Sequence, residues 1–294
     1  MQLGHIIAHF GRHWAVEGEE GQILLCHTRR HCAPPCVGDQ VKWQPTDPGH
    51  GVIVEILPRR TLLTRPGRAG KLRPVAANLD QVLIVIAPAP AYDLLLVDQY
   101  LVVCEQHSLQ SIILFNKTDL LSPADRRHAE EDLAPYRDLY PLLFISARSG
   151  EGMECLRARL KNKTSLFAGQ SGVGKSSLLK RLVPDKDIRT GELSPGTRRG
   201  RHTTTSAMLF HLPEGGDIID TPGVAIFGLA GIDPGKLAWG YKEFRAYIEH
   251  CRFNDCLHAG DLGCAVKQAV DKGEISLPRY RRYLKLLEKL PKIS

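Results

Sequence analysis

The sequence predicts a parallel α/β domain set between a small all-β segment and a cysteine-bearing helical one. Three observations carry that prediction. Short strands broken by turns fill residues 1 to about 67, apolar strands alternate with helices beyond them, and Cys251, Cys256, His258 and Cys264 crowd one stretch near the end. Alternating strands and helices give a parallel sheet covered by helices. A chain of 294 residues can hold two or three domains, each with its own core.

Composition narrows the class. Hydrophobic residues make up 43% and charged residues 24%, which suits a globular chain and excludes a disordered one. No apolar run reaches the ~20 residues of a membrane span. The start, Met1-Gln2-Leu3-Gly4-His5, lacks a cationic and apolar leader, so a cytoplasmic protein with no membrane partner is expected. The formal charge of +7 points to a polyanionic partner without saying which.

In the first segment the expected strands are Leu3–Phe10, Trp14–Glu17, Gln22–His27, Val41–Gln44 and Gly51–Leu57, separated by glycine-rich turns. Five short strands in about sixty residues fit a small barrel of the OB-fold type, a frequent nucleic-acid binder. Trp14 or Trp43 would stack bases there, with Arg12, Arg29 and Arg30 on phosphates, unless the tryptophans fill the core, as tryptophans usually do. His27, His31, Cys32 and Cys36 have ligand-like spacing, but Ala33-Pro34-Pro35 between the cysteines reads as a barrel loop. Arg65 to Lys71 reads as a linker or flexible loop, placing a first boundary at 67.

Past it, Gln81–Ala87 is a buried strand, followed by a helix at Leu94–Gln106, a strand at Ser111–Phe115, a helix at Pro123–Ala134 and a strand at Leu139–Ile145. Ligands bind open α/β sheets at the carboxyl ends of strands, and two loops there matter. In Asn116-Lys117-Thr118-Asp119, the Asp119 carboxylate would accept from guanine's ring N–H and exocyclic amine, a donor pair adenine lacks. Asn116 would tie the loop to the phosphate site and the Lys117 stem would cover the base. In Ser146-Ala147, a backbone N–H would meet the guanine carbonyl. Both motifs are short, and their weight comes from their strand-end positions.

The strand Thr164–Ala168 leads into Gly169-Gln170-Ser171-Gly172-Val173-Gly174-Lys175-Ser176, and a helix-like stretch from Ser177 leads out. This is the strand, glycine-rich loop and helix context of a P-loop. Its backbone N–H groups cradle phosphates, Lys175 would reach the outer phosphates, and Ser176 would ligate Mg2+. The phosphate-facing set runs through Ser177.

Residues 189–205 follow, polar and rich in Gly and Arg, and would fold over the γ-phosphate. Thr204 is the preferred second Mg2+ ligand, with Thr203 as its rival. Strands Ala207–Leu212 and Asp217–Ile219 then deliver Asp220-Thr221-Pro222-Gly223. There Asp220 would hold Mg2+ through water and the Gly223 N–H would sense the γ-phosphate.

All five guanine-nucleotide motifs are thus present, but base recognition precedes the P-loop, the reverse of the conventional order. Cutting and rejoining a sheet elsewhere leaves its pocket intact, so this is a circular permutation. The fold class expected is an α/β P-loop GTPase domain, circularly permuted, flanked by an N-terminal β-barrel (OB-fold) and a C-terminal α-helical zinc-binding domain. The expected domains are 1–67, 68–229 and 230–294.

Barrel, permuted motifs, Gly200-Arg201-His202-Thr203-Thr204-Thr205, Asp220-Thr221-Pro222-Gly223-Val224, Ala76 to Val82 and the terminal cysteines together resemble the bacterial ribosome small subunit-dependent GTPase A family (RsgA, also called YjeQ). The resemblance spans nearly the whole chain. It implies GTP hydrolysis to GDP stimulated by the 30S subunit, late in 30S maturation, with 16S rRNA as a contact. A GTP-sensing RNA-binding chaperone with little turnover is the alternative.

Val224 stands where many GTPases carry a water-orienting glutamine, and an isopropyl group cannot hold water. His202 is the internal candidate for that task, beside Lys175 and Thr204; contact with RNA is its other reading. Cys251-x4-Cys256-x-His258-x5-Cys264 supplies three thiolates and an imidazole, a closed tetrahedral set for one structural Zn2+. The tail Ser276–Ser294 reads as a helix with Leu277, Tyr280, Leu284 and Leu287 on one face. Residues 272–294 carry seven Lys or Arg against two Glu, cations for rRNA or a solvated face. The chain is expected to act as a monomer.

Overall fold

A computed structural model describes residues 1–29, 32–67, 72–184, 207–221, 229 and 232–290. His202, Thr203, Thr204, Gly223, Arg30 and His31 lie outside that set.

The five expected N-terminal strands form, each within two residues of its expected ends: β1 (Gln2–Phe10), β2 (His13–Gly18), β3 (Ile23–Thr28), β4 (Gln40–Pro45) and β5 (His50–Ile56). They pair in the order β1-β2-β3-β5-β4, and β4 returns to β1 to close the barrel. Only the β3–β5 pairing is parallel. Period-two alternation sends Val41 and Trp43 inward to join Ile6, Val16 and Ile53.

Trp43 is therefore a core residue, 2% exposed, with its indole N–H donating to the Leu3 carbonyl at 3.1 Å. It is not free to stack a base. Trp14 is half-buried and stacks on His9, ring centroids 3.9 Å apart. The Cys32 thiol donates to the Val54 carbonyl at 3.2 Å, and Cys36 is buried, so both are engaged in barrel packing.

The stretch expected as a linker is bracketed by paired strands. β6 (Leu62–Pro66) and β7 (Leu72–Ala77) run antiparallel, with Leu62 opposite Ala77. Glycines and charges around 65–71 masked a strand pair whose own residues alternate only weakly.

The α/β sheet is built from β8 (Gln81–Ile86), β9 (Gln110–Phe115), β10 (Leu142–Phe144), β11 (Thr164–Ala168), β12 (Met208–His211) and β13 (Asp217–Asp220). Their order is β10-β9-β8-β11-β13-β12, all parallel except β12. Every residue of β8 is buried, as its unbroken apolar run requires of a central parallel strand. The helices α1 (Leu94–Gln106), α2 (Pro123–Asp132), α3 (Met153–Leu160) and α4 (Lys175–Leu182) cover it.

Two elements differ from expectation. β10 is shorter than 139–145 because the Leu139 and Tyr140 amides are spent on the Tyr136 carbonyl in a turn. α3 was not anticipated, although Met153, Leu156 and Leu160 are buried at helical spacing.

Barrel and sheet are continuous. Ala8 of β1 pairs with Met208 of β12, making one sheet of 11 strands. Asn78, at φ 56°, donates to the Gly38 carbonyl of the barrel at 2.8 Å and accepts from the Arg60 amide. Asp80 accepts from Arg60 and from the Thr164 amide at the start of β11. His211 of β12 lies between Asp217 and Glu17, 2.6 Å from each carboxylate.

The C-terminal segment holds α5 (Pro234–Trp239), α6 (Arg245–Ile248), α7 (Ala265–Asp271) and α8 (Leu277–Glu288) around Tyr241, Phe244, Tyr280 and Tyr283. α8 docks on α1 through a buried ion cluster. Asp98 of α1 accepts from Arg279 at 2.8 Å, from Arg282 at 2.6 Å and from the Tyr136 hydroxyl at 2.7 Å. Arg279 also bonds Glu243. Among the described residues no helix is long and apolar enough to cross a membrane.

Candidate functional site

Three stretches far apart in the chain meet at the carboxyl ends of β8, β9, β10 and β11. Gly169 takes φ 139°, and a Cβ there would sit 2.2 Å from the Val85 carbonyl oxygen, so only glycine lets the loop leave β11 against β8. Gly174 takes φ 99°, and a Cβ would sit 2.3 Å from the Asn116 amide nitrogen. α4 begins at Lys175, with its free N–H groups facing the loop.

Asn116, 1% exposed, is the joint of the site. Its amide N–H donates to the Val173 carbonyl at 2.9 Å, and its oxygen accepts from the Ala147 amide at 3.2 Å. One side chain thus fixes 116–119, 146–147 and 169–174 together. Lys117, at φ 63°, extends along the loop and donates to the carbonyls of Ala89 and Gly172, both at 2.6 Å. Asp119 accepts from the buried Ser146 hydroxyl at 2.5 Å, and Arg148 lies 3.9 Å from its other oxygen.

At the other end of the loop, the Lys175 ammonium donates to the carbonyls of Gly169 and Gln170 at 2.6 and 2.7 Å. Burial pulls its pKa below the ordinary lysine value, and nearby Asp220 pulls the other way. Asp220 closes β13, beside β11 in the sheet. Gln170, Ser171, Gly172, Ser176 and Ser177 complete the turn and the first turn of α4.

Two supporting groups carried no sequence signal. Glu151 accepts from Thr118 Oγ1 at 2.5 Å and from Arg126 at 2.8 Å, and its own carbonyl accepts from the Ser146 amide. Its carboxylate is held below the usual range, chiefly by Thr118 and then by Arg126. The Ala89 carbonyl anchors Lys117, a backbone role that no residue type announces.

A second cluster lies in the C-terminal segment. The sulfurs of Cys251, Cys256 and Cys264 stand 3.5, 3.4 and 3.5 Å from His258 Nδ1. All four ligand atoms fall within 4.8 Å of one another, the one such group among the described residues. Zn–S and Zn–N bonds of about 2.3 and 2.0 Å at a tetrahedral angle would set S···N at about 3.5 Å, so the residues fit a zinc ion. His258 reaches its place at φ 57°. Its carbonyl and that of Leu257 accept from the Tyr280 and Tyr283 hydroxyls of α8, at 2.7 and 2.5 Å.

A closed five-strand barrel, a sheet whose base-side loops precede its P-loop, and a cysteine–histidine cluster define the class: a circularly permuted GTPase. Comparison with known proteins specifies it further. Residues 56–230 match the family model described as RsgA GTPase. The chain is 45% identical over 291 residues to the small ribosomal subunit biogenesis GTPase RsgA of Pseudomonas aeruginosa (strain LESB58), covering 99% of this chain and 86% of that one. The crystal structure of YjeQ from Thermotoga maritima superposes with a TM-score of 0.80 at 35% identity, covering 98% of each chain. YloQ, a circularly permuted GTPase, superposes at 0.76 and 29% identity, covering 100% of this chain and 97% of that one. This chain belongs to the RsgA GTPase family, and it is a GTP-hydrolysing enzyme, with the GTP, GDP and Mg2+ that such an activity entails.

Proposed function

We propose that this chain binds the small (30S) ribosomal subunit and hydrolyses GTP to GDP and phosphate late in that subunit's maturation, with the subunit stimulating the reaction. One observation carries the nucleotide half of the reading: Asn116 ties the loop of Asp119 and the loop of Ala147 to the P-loop that carries Lys175. The curated relative named for small ribosomal subunit biogenesis supports the ribosomal half.

In this reading Asp119 pairs guanine and Lys117 covers it, while the Ala147 amide, which donates to Asn116 at 3.2 Å, is shared with the guanine carbonyl. Lys175 and the loop amides from Gly169 to Ser177 hold the phosphates. Ser176 and Thr204 ligate Mg2+, Asp220 acts through water, and Gly223 senses the γ-phosphate. His202 positions the attacking water, since Val224 cannot. Zinc in the Cys251, Cys256, His258, Cys264 set is structural, because four protein ligands leave no open position.

Residues 1–67, 68–229 and 230–294 act as barrel, GTPase and zinc domains, in a cytoplasmic monomer that meets 16S rRNA through the barrel and the basic tail. The test is GTP turnover with and without purified 30S particles. Stimulation is expected, and turnover unchanged by 30S would overturn the reading. His202→Ala should abolish the stimulated rate while sparing GTP binding.

A further inference from the structure

The P-loop has two ends that its contacts tell apart. Lys117 and Asn116 hold Gly172 and Val173, marking the base side. The Lys175 ammonium, the group that reaches the β- and γ-phosphates of a nucleotide, is held at Gly169 and Gln170. That end therefore faces the outer phosphates. A cavity of about 330 Å³ opens there, lined by Gln170 and Ser171, by Leu96 and Gln99 of α1 and its N-cap Asp93, and by Lys289.

Lys289 belongs to the C-terminal segment, and its place is fixed by the helix it caps. Arg279, Arg282, Leu286 and Lys289 recur at intervals of three and four, which puts them along one face of α8. The first two clamp Asp98 from that face, so the cap is carried toward the start of α1 and the P-loop. The side chain is exposed and forms no ion pair among the described residues. Asp93 is the other charged side chain lining the cavity, and its carboxylate is engaged by the Leu95 amide at 2.8 Å. α1, a helix of 13 residues, begins at the same space, its N-terminus capped by that carboxylate.

We propose that Lys289 is a further phosphate-end residue of the nucleotide site, supplying a cation from the C-terminal segment to the γ-phosphate. The inference rests on the guanine-nucleotide reading of the P-loop groove. It makes the GTPase site incomplete without α8 and gives GTP an interaction that GDP cannot make.

The experiment compares binding of a non-hydrolysable GTP analogue and of GDP by the full chain. Lys289→Ala is expected to weaken the analogue about threefold and Lys289→Glu about tenfold, with GDP little changed, the size of an exposed charge interaction. The difference should shrink as salt rises, and Lys289→Arg should restore it. Lys161→Ala removes an exposed cation elsewhere and should leave both affinities unchanged. An unaltered analogue-to-GDP ratio in Lys289→Ala and Lys289→Glu, or an equal loss for both nucleotides, overturns the proposal while the groove reading survives. Wild-type protein that binds neither nucleotide overturns both.

Discussion

Asp119 lies beside Ser146 Oγ, and that hydroxyl also accepts from the Arg148 and Ser149 amides. The carboxylate is thus oriented before any base arrives. Asp119→Asn replaces an acceptor by a donor and should shift preference from guanosine to xanthosine triphosphate by roughly 10²-fold or more, read by competition binding. Retained guanosine preference would remove Asp119 from base recognition. His211 gives a second prediction at this scale. Its bonds to Asp217 and then Glu17 raise its pKa from 6.5 to about 10. A folded-state pKa above the unfolded one stabilises fully below pH 6.5, and the contribution fades as pH climbs toward 10. The melting difference between wild type and His211→Gln should therefore be largest in weak acid, just below pH 6.5, and vanish in strong alkali. A difference independent of pH would mean that His211 acts by shape alone.

Among the elements, α8 ties together three separate parts of the molecule. Its tyrosines hold the backbone of the metal loop, its arginines hold α1, and its end borders the P-loop cavity. Asp98 is fully buried and faces two guanidinium groups. Removing one partner of such a cluster leaves buried charge uncompensated, so Asp98→Ala should cost about 3–5 kcal/mol in denaturant unfolding. A loss below about 1 kcal/mol would mean that solvent reaches the cluster. Chelation of a metal held by Cys251, Cys256, His258 and Cys264 should raise amide exchange across that loop and α8 before β8 or β11 responds, because the residues between those ligands are mostly exposed and have little apolar packing of their own. Simultaneous exchange throughout the chain would contradict a local structural metal.

The molecule is one sheet with additions at both ends of its chain. The barrel continues that sheet through Ala8 and Met208, and the C-terminal segment clasps α1 on the helical layer. In a permuted domain the chain runs from Asp220 directly to the C-terminal segment, so the loop proposed to sense the γ-phosphate is also the covalent joint between them. GTP is therefore expected to reposition that segment relative to the barrel, and the clasp on Asp98 requires α1 to shift with it or release it. Small-angle scattering with a GTP analogue and with GDP should differ; identical curves would end this coupling.

Most of what local pattern carries was legible in the sequence, with α3, apolar at helical spacing, as the exception. Turn residues between short runs located the barrel strands, an apolar run located β8, the strand–loop–helix context located β11 and the P-loop, and cysteine and histidine spacing located the candidate metal set. The permutation was legible too, because motif order is a property of the chain. Long-range contacts were needed to establish that Trp43 is core, that β6 and β7 pair, that Glu151 braces Thr118, and that Lys289 borders the P-loop. Those facts depend on which distant segments touch, and an isolated side chain carries no mark of the partner that folding brings to it.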